Sequence, residues 1–452
     1  MKAFNNITHI YFIGIGGIGM SALARFFKLN GKVVAGYDKL ETEITQKLQQ
    51  EGIAVYFSNQ SQEIPVSFQD NKKTLVVYTP AVSRENPLFQ FFNQKNFLIK
   101  KRAEVLGMIT SGIPTLAVAG THGKTTTTAI LAHILKQCGV KLTAFLGGIS
   151  ENYQTNFIAD GNEVIVVEAD EFDRSFLHLT PSIAAITSMD ADHLDIYKDE
   201  KTLQETFHAF AAKIANENHL FYKAGLQNID GKTIGVEERA DYAVKNIQVK
   251  NGRYNFNLET PKKLIENIVF SLPGRHNLFN AATALAMAIK FGLDEDKAGE
   301  TLASFKGVDR RFTYHLRNEN HVLIEDYAHH PTEINSVYQA VAEMHPHQEV
   351  LAIFQPHLFS RTKDFMNEFA ASLSKFNKVV LLDIYPAREE AIPEVTSEVL
   401  LSLISTEDKR LAQKSDLSEI VKKSSAKIIV MMGAGDIGVE VESIKKVLQN
   451  EA

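Results

Sequence analysis

The stretch Leu116–Thr128, L-A-V-A-G-T-H-G-K-T-T-T-T, strongly constrains the fold of this chain. Its small and β-branched residues predict a strand that stops at Gly120, and Lys124 with the threonines opens a helix-compatible segment. A strand, a glycine loop and a helix N-terminus cradle phosphate, because backbone N–H groups and the helix dipole point at the anion. Only Thr121 and His122 separate the two glycines, where the usual P-loop has four residues. The stretch predicts a shortened phosphate loop; the alternative is a glycine turn with a surface lysine.

Length and composition set the class of protein. At 452 residues the chain is long enough for about three domains, and its net charge of −6 argues against a strongly basic nucleic-acid-binding surface. The single cysteine, Cys138, excludes an intramolecular disulfide and fits a reducing compartment. The N-terminus predicts a short strand rather than a signal peptide, and no apolar run reaches the roughly 18 residues of a membrane helix. We expect a cytoplasmic enzyme with no nucleic-acid partner and no membrane insertion.

The N-terminal segment has the pattern of a dinucleotide-binding unit. A predicted strand, His9–Ile13, leads into Gly14, Gly16 and Gly19, and Asp38 follows about twenty residues later, where a ribose-binding acid is expected. The pattern predicts that a diphosphate meets a helix N-terminus here. Whether it belongs to NAD, FAD or a UDP-sugar is left open by these residues.

Two further features complete this first domain. Thr74–Tyr78 predicts a buried strand, and Pro80 and Ser83 follow it in a loop at the sheet edge where open α/β sheets bind ligands. The domain is expected to end near residues 109–112, and Pro114 marks the crossing into the second domain.

A second acidic feature belongs to the same domain as the phosphate loop. Glu163–Val167 predicts a strand that runs into Glu168-Ala-Asp-Glu-Phe-Asp173, which resembles a Walker-B arrangement. Mg²⁺ prefers oxygen ligands and takes one or two protein carboxylates when it bridges phosphates, so Glu168 is the preferred ligand. The alternative is a solvated acidic loop. His193, in a second acidic loop, is open to three interpretations: metal ligand, acid–base group or structural imidazole.

The remaining part of the second domain is polar before it becomes helical. Residues 216–263 contain β-like pieces and are interpreted as an antiparallel excursion rather than a linker. Asn277 and Asn280 then lie three apart at the start of an Ala-rich helix. They are consistent either with helix capping or with recognition of a purine by an amide that donates and accepts.

The last third of the chain repeats one pattern. Four predicted strands each end in an unusual polar or glycine-rich sequence, with helical patterns between them: 322–324, 349–354, 378–383 and 427–432. This layout predicts an open parallel sheet with a ligand site along one edge. A zinc site at His329-His330 is disfavoured, because adjacent histidines rarely point at one metal.

Taken together, the motifs resemble those of the Mur ligase family. They are, in order, G-I-G-G-I-G-M-S, G-T-H-G-K-T-T-T, E-A-D-E, D-A-D-H-L-D, G-R-H-N-x-x-N, R-R-F, D-Y-A-H-H-P-T-E and Q-P-H-x-x-x-R-T. The resemblance spans about residues 9 to 438 and implies an α/β protein of three domains. These are a Rossmann-like UDP-sugar-binding domain (1–111), a central P-loop ATPase-type parallel-sheet domain that binds ATP (112–311) and a Rossmann-like amino-acid-binding domain (312–452).

The resemblance also implies a reaction. It is an ATP-dependent ligation of L-alanine to the lactyl carboxylate of UDP-N-acetylmuramate through an acyl phosphate, in peptidoglycan precursor synthesis. The implied cofactors are ATP and Mg²⁺, and the implied form is a cytoplasmic monomer or weak homodimer. Because two anions must be brought together, charge neutralisation and alignment are expected to carry the catalysis.

Roles for individual residues follow from the resemblance. The implied ATP-binding residues are Gly120, Thr121, His122, Gly123, Lys124, Thr125, Thr126, His276, Asn277, Asn280, Arg311 and Asp326. The implied UDP-sugar-binding residues are Gly14, Gly16, Gly17, Ile18, Gly19, Asp38, Ser83 and Arg102. The alanine pocket would consist of Tyr327, His329, His357 and Arg361. Metal binding is implied for Thr125, Glu168 and His193, and a catalytic role for Lys124, His193 and Arg311.

The chain departs from the family pattern in two places, and two other functions are alternatives. Tyr37 stands where a small hydroxyl residue is more usual, and Leu358 stands where a basic residue is common. Lys213, near the place of a carbamylated lysine in some relatives, is left out of the metal set. The alternatives are another ligase of the superfamily, for murein tripeptides or folylpolyglutamate, and a nicotinamide-dependent dehydrogenase built on Gly14–Gly19. The dehydrogenase would leave the phosphate loop and the Glu168 cluster without a role.

Overall fold

The computed structural model describes residues 4–190, 197, 199–387 and 389–450, apart from the Glu200 side chain. The chain forms two compact units. The first contains residues 1–245, 258–266 and 280–305, and the second contains 246–257, 267–279 and 306–452. The first two predicted domains therefore lie mostly in one unit.

The N-terminal part of the first unit is a five-stranded parallel sheet with strand order β3-β2-β1-β4-β5. Its strands are β1 (His9–Ile13), β2 (Val33–Tyr37), β3 (Ala54–Tyr56), β4 (Thr74–Tyr78) and β5 (Leu98–Lys101). Its helices are α1 (Ile18–Leu29), α2 (Glu43–Gln50), α3 (Pro87–Gln94) and α4 (Arg102–Thr110). The predicted strands β1 and β4 are confirmed.

Both faces of this sheet are covered, which explains why its central strands are apolar throughout. Along β1, Ile10 and Phe12 pack into one hydrophobic cluster, whereas Tyr11 and Ile13 pack into another on the opposite face. Parallel strands buried on both sides lack the polar alternation of a half-exposed strand. The glycine loop ends at Gly17, which is the N-cap of α1, so a helix N-terminus faces the carboxyl edge of the sheet as predicted.

The central sheet has ten strands in the order β15-β14-β13-β12-β11-β10-β6-β9-β7-β8. They are β6 (Thr115–Ala119), β7 (Leu142–Ser150), β8 (Thr155–Ala159), β9 (Val164–Glu168), β10 (Ile183–Ile186), β11 (Leu220–Lys223), β12 (Lys232–Val236), β13 (Tyr242–Lys250), β14 (Arg253–Glu259) and β15 (Leu264–Phe270). The helices that follow in this region are α5 (Lys124–Gln137), α6 (Glu200–Ala211), α7 (Arg275–Phe291) and α8 (Glu295–Thr301).

The interpretation of residues 216–263 as an antiparallel excursion was wrong for β11, β12 and the start of β13. These strands continue the parallel pairing that begins at β10. Their mixed polar pattern is compatible with either direction, so the direction of each strand depends on its pairing in the sheet. Thr233 N–H and Oγ1 donate to Asp241 Oδ2 (2.9 and 2.8 Å), and Asp241 N–H donates back to Thr233 Oγ1 (2.9 Å). These bonds hold the connection that returns the chain to a parallel register.

The second unit contains a six-stranded sheet with order β16-β17-β21-β18-β19-β20. Its strands are β16 (Thr313–Arg317), β17 (Val322–Asp326), β18 (Val350–Phe354), β19 (Lys378–Leu381), β20 (Asp408–Leu411) and β21 (Ile428–Met432). The helices are α9 (Pro331–Met344), α10 (Phe359–Asp364), α11 (Met366–Leu373), α12 (Ser397–Leu403), α13 (Leu417–Lys423) and α14 (Val441–Asn450). Only β16 runs antiparallel to its neighbour among the pairs described, so the predicted open parallel sheet is confirmed.

The α/β fold class predicted from the sequence is confirmed, whereas the predicted domain boundaries at 111 and 311 stay predictions. Across the part of the chain that the structure describes, no helix is long and apolar enough to cross a membrane.

Asn156, on β8, connects this strand to α1. Its Nδ2 donates to Ile18 O (2.5 Å) and Ser21 Oγ (3.0 Å), and its Oδ1 accepts from Arg25 Nη1 (2.6 Å). The side chain is fully buried. Asn156→Ala removes all three bonds and leaves buried polar partners, so it should lower the free energy of unfolding by about 1–3 kcal/mol in urea titrations.

Asn71→Ala is the matched control, because Asn71 is exposed and makes one described side-chain bond, to Lys95 O (3.0 Å). It should change stability by less than about 0.5 kcal/mol. Equal effects of the two substitutions would contradict the connecting role of Asn156.

Candidate active site

The phosphate loop between β6 and α5 depends on two glycines in left-handed backbone conformations. Gly120 has φ +130°, and a Cβ there would overlap Thr187 Oγ1. Gly123, the N-cap of α5, has φ +81°, and a Cβ there would lie 2.5 Å from Asn280 Oδ1. A side chain at either position would be strained by the backbone conformation and would crowd the neighbouring atom. The shortened loop is therefore closely packed against its surroundings.

The two residues between these glycines are fixed by the loop that follows β10. Thr121 Oγ1 lies 2.8 Å from Ser188 Oγ and accepts from Asp190 N–H (3.1 Å). The backbone N–H of His122 donates to Ser188 Oγ (2.9 Å). Ser188 was not predicted to belong to the site. The residues next to Ser188 in the sequence do not indicate this contact, because the contact depends on β10 lying beside β6 in the sheet.

Lys124, the first residue of α5, lies over the loop with its ammonium group tightly bound. Its Nζ donates to Gly120 O (2.6 Å) and to the Glu171 carboxylate, with N–O distances of 2.8–2.9 Å. The Glu171 side chain is fully buried and that of Lys124 is 13% exposed. Although burial disfavours the charged form, the charges of Glu171, Asp170 and Glu168 raise the pKa of Lys124 above its usual range. Lys124 is therefore a permanent cation at the loop.

Glu171 was predicted only as a member of the acidic cluster, not as the partner of this lysine. Its position follows from β9 pairing with β6, and the chain then turns at Asp173 and Arg174, which have φ of +53° and +55°. Tyr197 Oη also donates to the backbone oxygen of Glu171. Two consecutive left-handed residues turn the chain sharply, which composition alone does not predict.

Glu168, the preferred metal ligand, is the last residue of β9 and pairs in register with Val118 of β6. Its carboxylate lies against the backbone of Gly147, where any Cβ would overlap it. Thr125 is buried in the first turn of α5. Oxygen atoms of these two kinds suit Mg²⁺. Among the residues that the structure describes, no group of three His, Cys, Asp or Glu side chains has the arrangement of a metal site, and His193 lies outside them.

A cavity of about 240 Å³ lies between the N-terminal glycine loop and the acidic loop after β9. On one side are Gly17, Ile18, Gly19 and Arg102, and on the other are Glu168 and Asp170, all parts of the first unit. The structure thus brings predicted UDP-sugar-binding residues and the preferred metal ligand into one cavity. Thr79, which no sequence argument singled out, is also part of the lining.

Asp38 and Ser83 contact their own loops. Asp38 Oδ2 accepts from Gly16 N–H (2.7 Å), so this carboxylate holds the glycine loop in shape. Ser83 is exposed, its Oγ accepts from Glu85 N–H (3.1 Å), and it is not part of the cavity lining. Their predicted roles in UDP-sugar binding stay predictions.

The three residues predicted to face adenine have different surroundings. Asn280 packs against Gly123 of the phosphate loop within the first unit. In the second unit, Asn277 Nδ2 donates to Pro273 O (2.7 Å), and the His276 ring packs on Gly274. Burial lowers the pKa of His276 to about 4, with Arg311 lowering it further and Glu333 opposing, so the imidazole is neutral at physiological pH.

Arg311 lies in an unusual backbone segment. Its neighbours Arg310 and Phe312 have φ of +58° and +51°, a conformation that side chains rarely adopt. Asp326 holds this bend: its Oδ2 accepts from Phe312 N–H (2.8 Å) and its Oδ1 from Ala328 N–H (2.7 Å). Burial raises the pKa of Asp326 to about 7, against the opposing charge of Arg311. Both of its oxygens thus serve the backbone that presents Arg311, and nucleotide binding by Asp326 stays a prediction.

The four residues of the predicted alanine pocket form a continuous group. The His329 ring lies 5.3 Å from Tyr327 and 6.0 Å from His357, and Arg361 Nη1 lies 3.4 Å from His357 Nδ1. Arg361 is buried. Tyr385, which was not predicted to belong to the pocket, stacks its ring on His357 with a centroid distance of 5.8 Å and an interplanar angle of 15°. This contact forms because β18 and β19 are neighbours in the sheet, which sequence spacing does not reveal.

No metal-binding role was predicted for the histidine pair His329-His330 or for Lys213. His329 Nδ1 lies 2.8 Å from Tyr327 O, whereas His330 Nδ1 accepts from Thr332 N–H (3.3 Å) at the N-cap of α9, so the two imidazoles have different local partners. Lys213, left out of the metal set, is exposed just beyond the end of α6.

Three family models together match most of the chain. They are described as Mur ligase family, catalytic domain (residues 9–113), Mur ligase middle domain (118–288) and Mur ligase, glutamate ligase domain (310–435).

Individual proteins are similar over the full length. The UDP-N-acetylmuramate–L-alanine ligase of Christiangramia forsetii is 56% identical, covering 100% of both chains. That of Flavobacterium psychrophilum is 53% identical, covering 99% of both. The crystal structure of UDP-N-acetylmuramate-alanine ligase from Thermotoga maritima aligns with a TM-score of 0.83 and 27% identity, covering 98% of this chain and 100% of that one.

The ion pair between Lys124 and Glu171 should contribute to stability. Glu171→Gln removes the carboxylate and leaves the Lys124 ammonium without its counterion. We expect the free energy of unfolding to fall by about 1–3 kcal/mol. This is less than for a fully buried pair, because Lys124 is partly exposed. Glu163→Gln, at an exposed position just before β9, is the control. In urea titrations an effect no larger than that of Glu163→Gln would contradict the contribution of the pair.

The lowered pKa of His276 makes a pH-dependent prediction. Between about pH 4 and 6.5 the unfolded chain binds a proton at this imidazole and the folded chain does not. The free energy of unfolding is therefore highest above pH 6.5 and falls as the pH is lowered towards 4. The loss should be about 1–2 kcal/mol at pH 5. In NMR spectra of the protein with ¹³C-labelled histidine, the His276 resonance is identified as the one that His276→Gln lacks. Its chemical shift should still be that of a neutral imidazole at pH 5.5. A midpoint near 6.5 would show that the imidazole is not desolvated.

Proposed function

The chain belongs to the Mur ligase family, and from this we propose that it joins L-alanine to the lactyl carboxylate of UDP-N-acetylmuramate, using ATP, in peptidoglycan precursor synthesis. One observation of the structure carries the proposal. The cavity is lined by the N-terminal glycine loop and Arg102 on one side. On the other side are Glu168, which ends the strand beside β6, and Asp170, which follows that strand. A diphosphate-linked substrate and the phosphates of a nucleotide can therefore meet there.

The chemistry requires an anion to attack an anion. The lactyl carboxylate attacks the γ-phosphorus of ATP, ADP leaves, and an acyl phosphate forms. The amine of L-alanine then adds to the acyl carbon, and the tetrahedral intermediate collapses to the amide and phosphate. Neutralisation of charge and alignment dominate such a reaction. Lys124 and the N-terminus of α5 supply positive charge where the β- and γ-phosphates are proposed to bind.

We assign the magnesium to Thr125, Glu168 and His193. The carboxylate of Glu168 and the hydroxyl of Thr125 are donors of the kind that this ion takes at nucleotide sites. When bound, Mg²⁺ would offset the negative charge of the phosphates. Glu171 is assigned a separate task, which is to hold the Lys124 ammonium over the loop.

The remaining residues are proposed to bind the adenine and phosphates of ATP and the carboxylate of L-alanine. Asn280, which packs on the phosphate loop, is proposed to face adenine together with His276 and Asn277. Arg311 is proposed to neutralise phosphate charge, with Asp326 holding its backbone and contacting the nucleotide. In the alanine pocket, the guanidinium of Arg361 pairs with the amino-acid carboxylate, beside Tyr327, His329 and His357.

The protein is proposed to act in the cytoplasm, where its substrates are UDP-N-acetylmuramate, L-alanine and ATP, and to be a monomer or weak homodimer.

The dehydrogenase hypothesis is wrong, because the family models match the regions of both the glycine loop and the phosphate loop. Ligation of alanine is favoured over other ligations of the superfamily because relatives of that name match the full length of the chain at 50–56% identity.

A phosphate-release assay tests the proposed reaction. With UDP-N-acetylmuramate, ATP and Mg²⁺, phosphate should appear only when L-alanine is added. Phosphate release that is indifferent to L-alanine would contradict the proposal, and release that depends on a tripeptide instead would favour a murein-peptide ligase.

Lys124→Ala separates the two anion sites. Turnover should fall by at least about 100-fold, because the main fixed cation at the phosphate loop is lost. The affinity for UDP-N-acetylmuramate, measured by calorimetry without nucleotide, should change by less than about twofold. Lys136→Ala, in the last turn of the same helix, is the control and should keep full turnover. An equal loss of UDP-sugar affinity and turnover would contradict this division, and thermal unfolding would show whether the variant remains folded.

A further inference from the structure

Arg102 is placed as the cation of the N-terminal glycine loop. It is the first residue of α4, and its guanidinium lies against the N-terminus of α1, since a Cβ on Gly19 would be 2.9 Å from Nη1. Arg102, Gly17 and Gly19 all line the 240 Å³ cavity. A helix N-terminus and a guanidinium together favour a bound anion.

A carboxylate of the same cavity already pairs with this guanidinium. Asp170 Oδ2 lies 3.3 Å from Arg102 Nη2, and the two side chains are 35% and 21% exposed. The other oxygen, Oδ1, accepts from Phe172 N–H (3.1 Å), which orients the carboxylate. Asp170 also adds to the negative charge that acts on Lys124. Its charge therefore acts on the cations of both proposed anion sites, although its ion pair is with Arg102.

We propose that Asp170 is a positioning residue that competes with the diphosphate of the UDP-sugar for Arg102, so that the Arg102–Asp170 ion pair limits the affinity for this substrate. The inference rests on the proposed function, because it takes the UDP-sugar as the ligand of the cavity. Binding of the diphosphate draws Arg102 away from Asp170. The released carboxylate then remains in the cavity beside Glu168.

The physical basis is the cost of breaking a partly exposed ion pair. Any anion that binds Arg102 must replace the interaction with Asp170, and it must also approach the negative charge of that carboxylate. Because the pair is partly exposed, its contribution is small and is screened by salt. The expected effect is a moderate change in affinity with a strong dependence on ionic strength.

Asp170→Asn provides the test, because asparagine keeps the Oδ1 acceptor for Phe172 N–H and loses only the charge. Calorimetry with UDP-N-acetylmuramate, without ATP or Mg²⁺, should show affinity about two- to fivefold higher than that of the wild type at low salt. The difference should shrink at about 0.5 M NaCl. The KM for the UDP-sugar should fall, whereas the KM for L-alanine should not change. Asp170→Ser, which also keeps an acceptor, is a second variant in case the first does not fold.

Two controls isolate the mechanism. Asp173→Asn breaks a similar ion pair, Asp173 with Lys101 at 2.6 Å, but neither residue lines the cavity, and asparagine tolerates the φ of +53° at this position. It should leave the affinity unchanged. In an Arg102→Gln background, the gain in affinity from Asp170→Asn should be much smaller, because only the direct repulsion between the carboxylate and the diphosphate is then removed.

The outcomes are distinct. Unchanged or weaker binding by Asp170→Asn, while the wild type binds the UDP-sugar, would overturn this inference alone. A gain in affinity of the same size without Arg102, or one that Asp173→Asn reproduces, would also overturn it. Failure of the wild type to bind UDP-N-acetylmuramate would overturn the proposed function and the inference with it.

Discussion

The ion pair of Lys124 with Glu171 is the interaction on which the candidate active site depends. A lysine at the first position of a helix, over a loop of only four residues, must keep its charge in a nearly closed environment. The buried carboxylate makes this possible, and it lies at the loop because β9, which precedes it, pairs with β6 in the sheet. The phosphate loop and the acidic loop therefore form one structure, although 47 residues separate Lys124 from Glu171.

The same arrangement explains why the acidic residues are not equivalent. Glu168 ends a strand and lies against Gly147, Asp170 pairs with Arg102 in the cavity, and Glu171 is buried on Lys124. Each carboxylate has a different partner because the backbone between them is irregular. A short run of acidic residues thus supplies a proposed metal ligand, a counterion for the arginine proposed to bind the UDP-sugar and a support for the lysine proposed to bind phosphate.

Carboxylates predicted to contact ligands also serve the backbone. Asp38 accepts from Gly16 N–H, and Asp326 accepts from Phe312 and Ala328 N–H. In both cases an acid at the end of a strand orients a loop that carries other functional groups. A sequence motif does not distinguish an acid that contacts a ligand from an acid that holds a loop, because both functions require an acid at the same position. Hydrogen-bond partners are needed to see the holding role.

The amino-acid sequence by itself determined the fold class, the strands that end in functional loops and the family, because apolar runs, glycine spacing and ordered motifs are local properties. Tertiary structure decided which side chains meet. Ser188 reaches the phosphate loop because β10 lies beside β6, Tyr385 stacks on His357 because β19 lies beside β18, and β11–β13 join the central sheet through parallel pairing that begins at β10. Strand order and strand direction are set by contacts between distant residues, and no local pattern contains them.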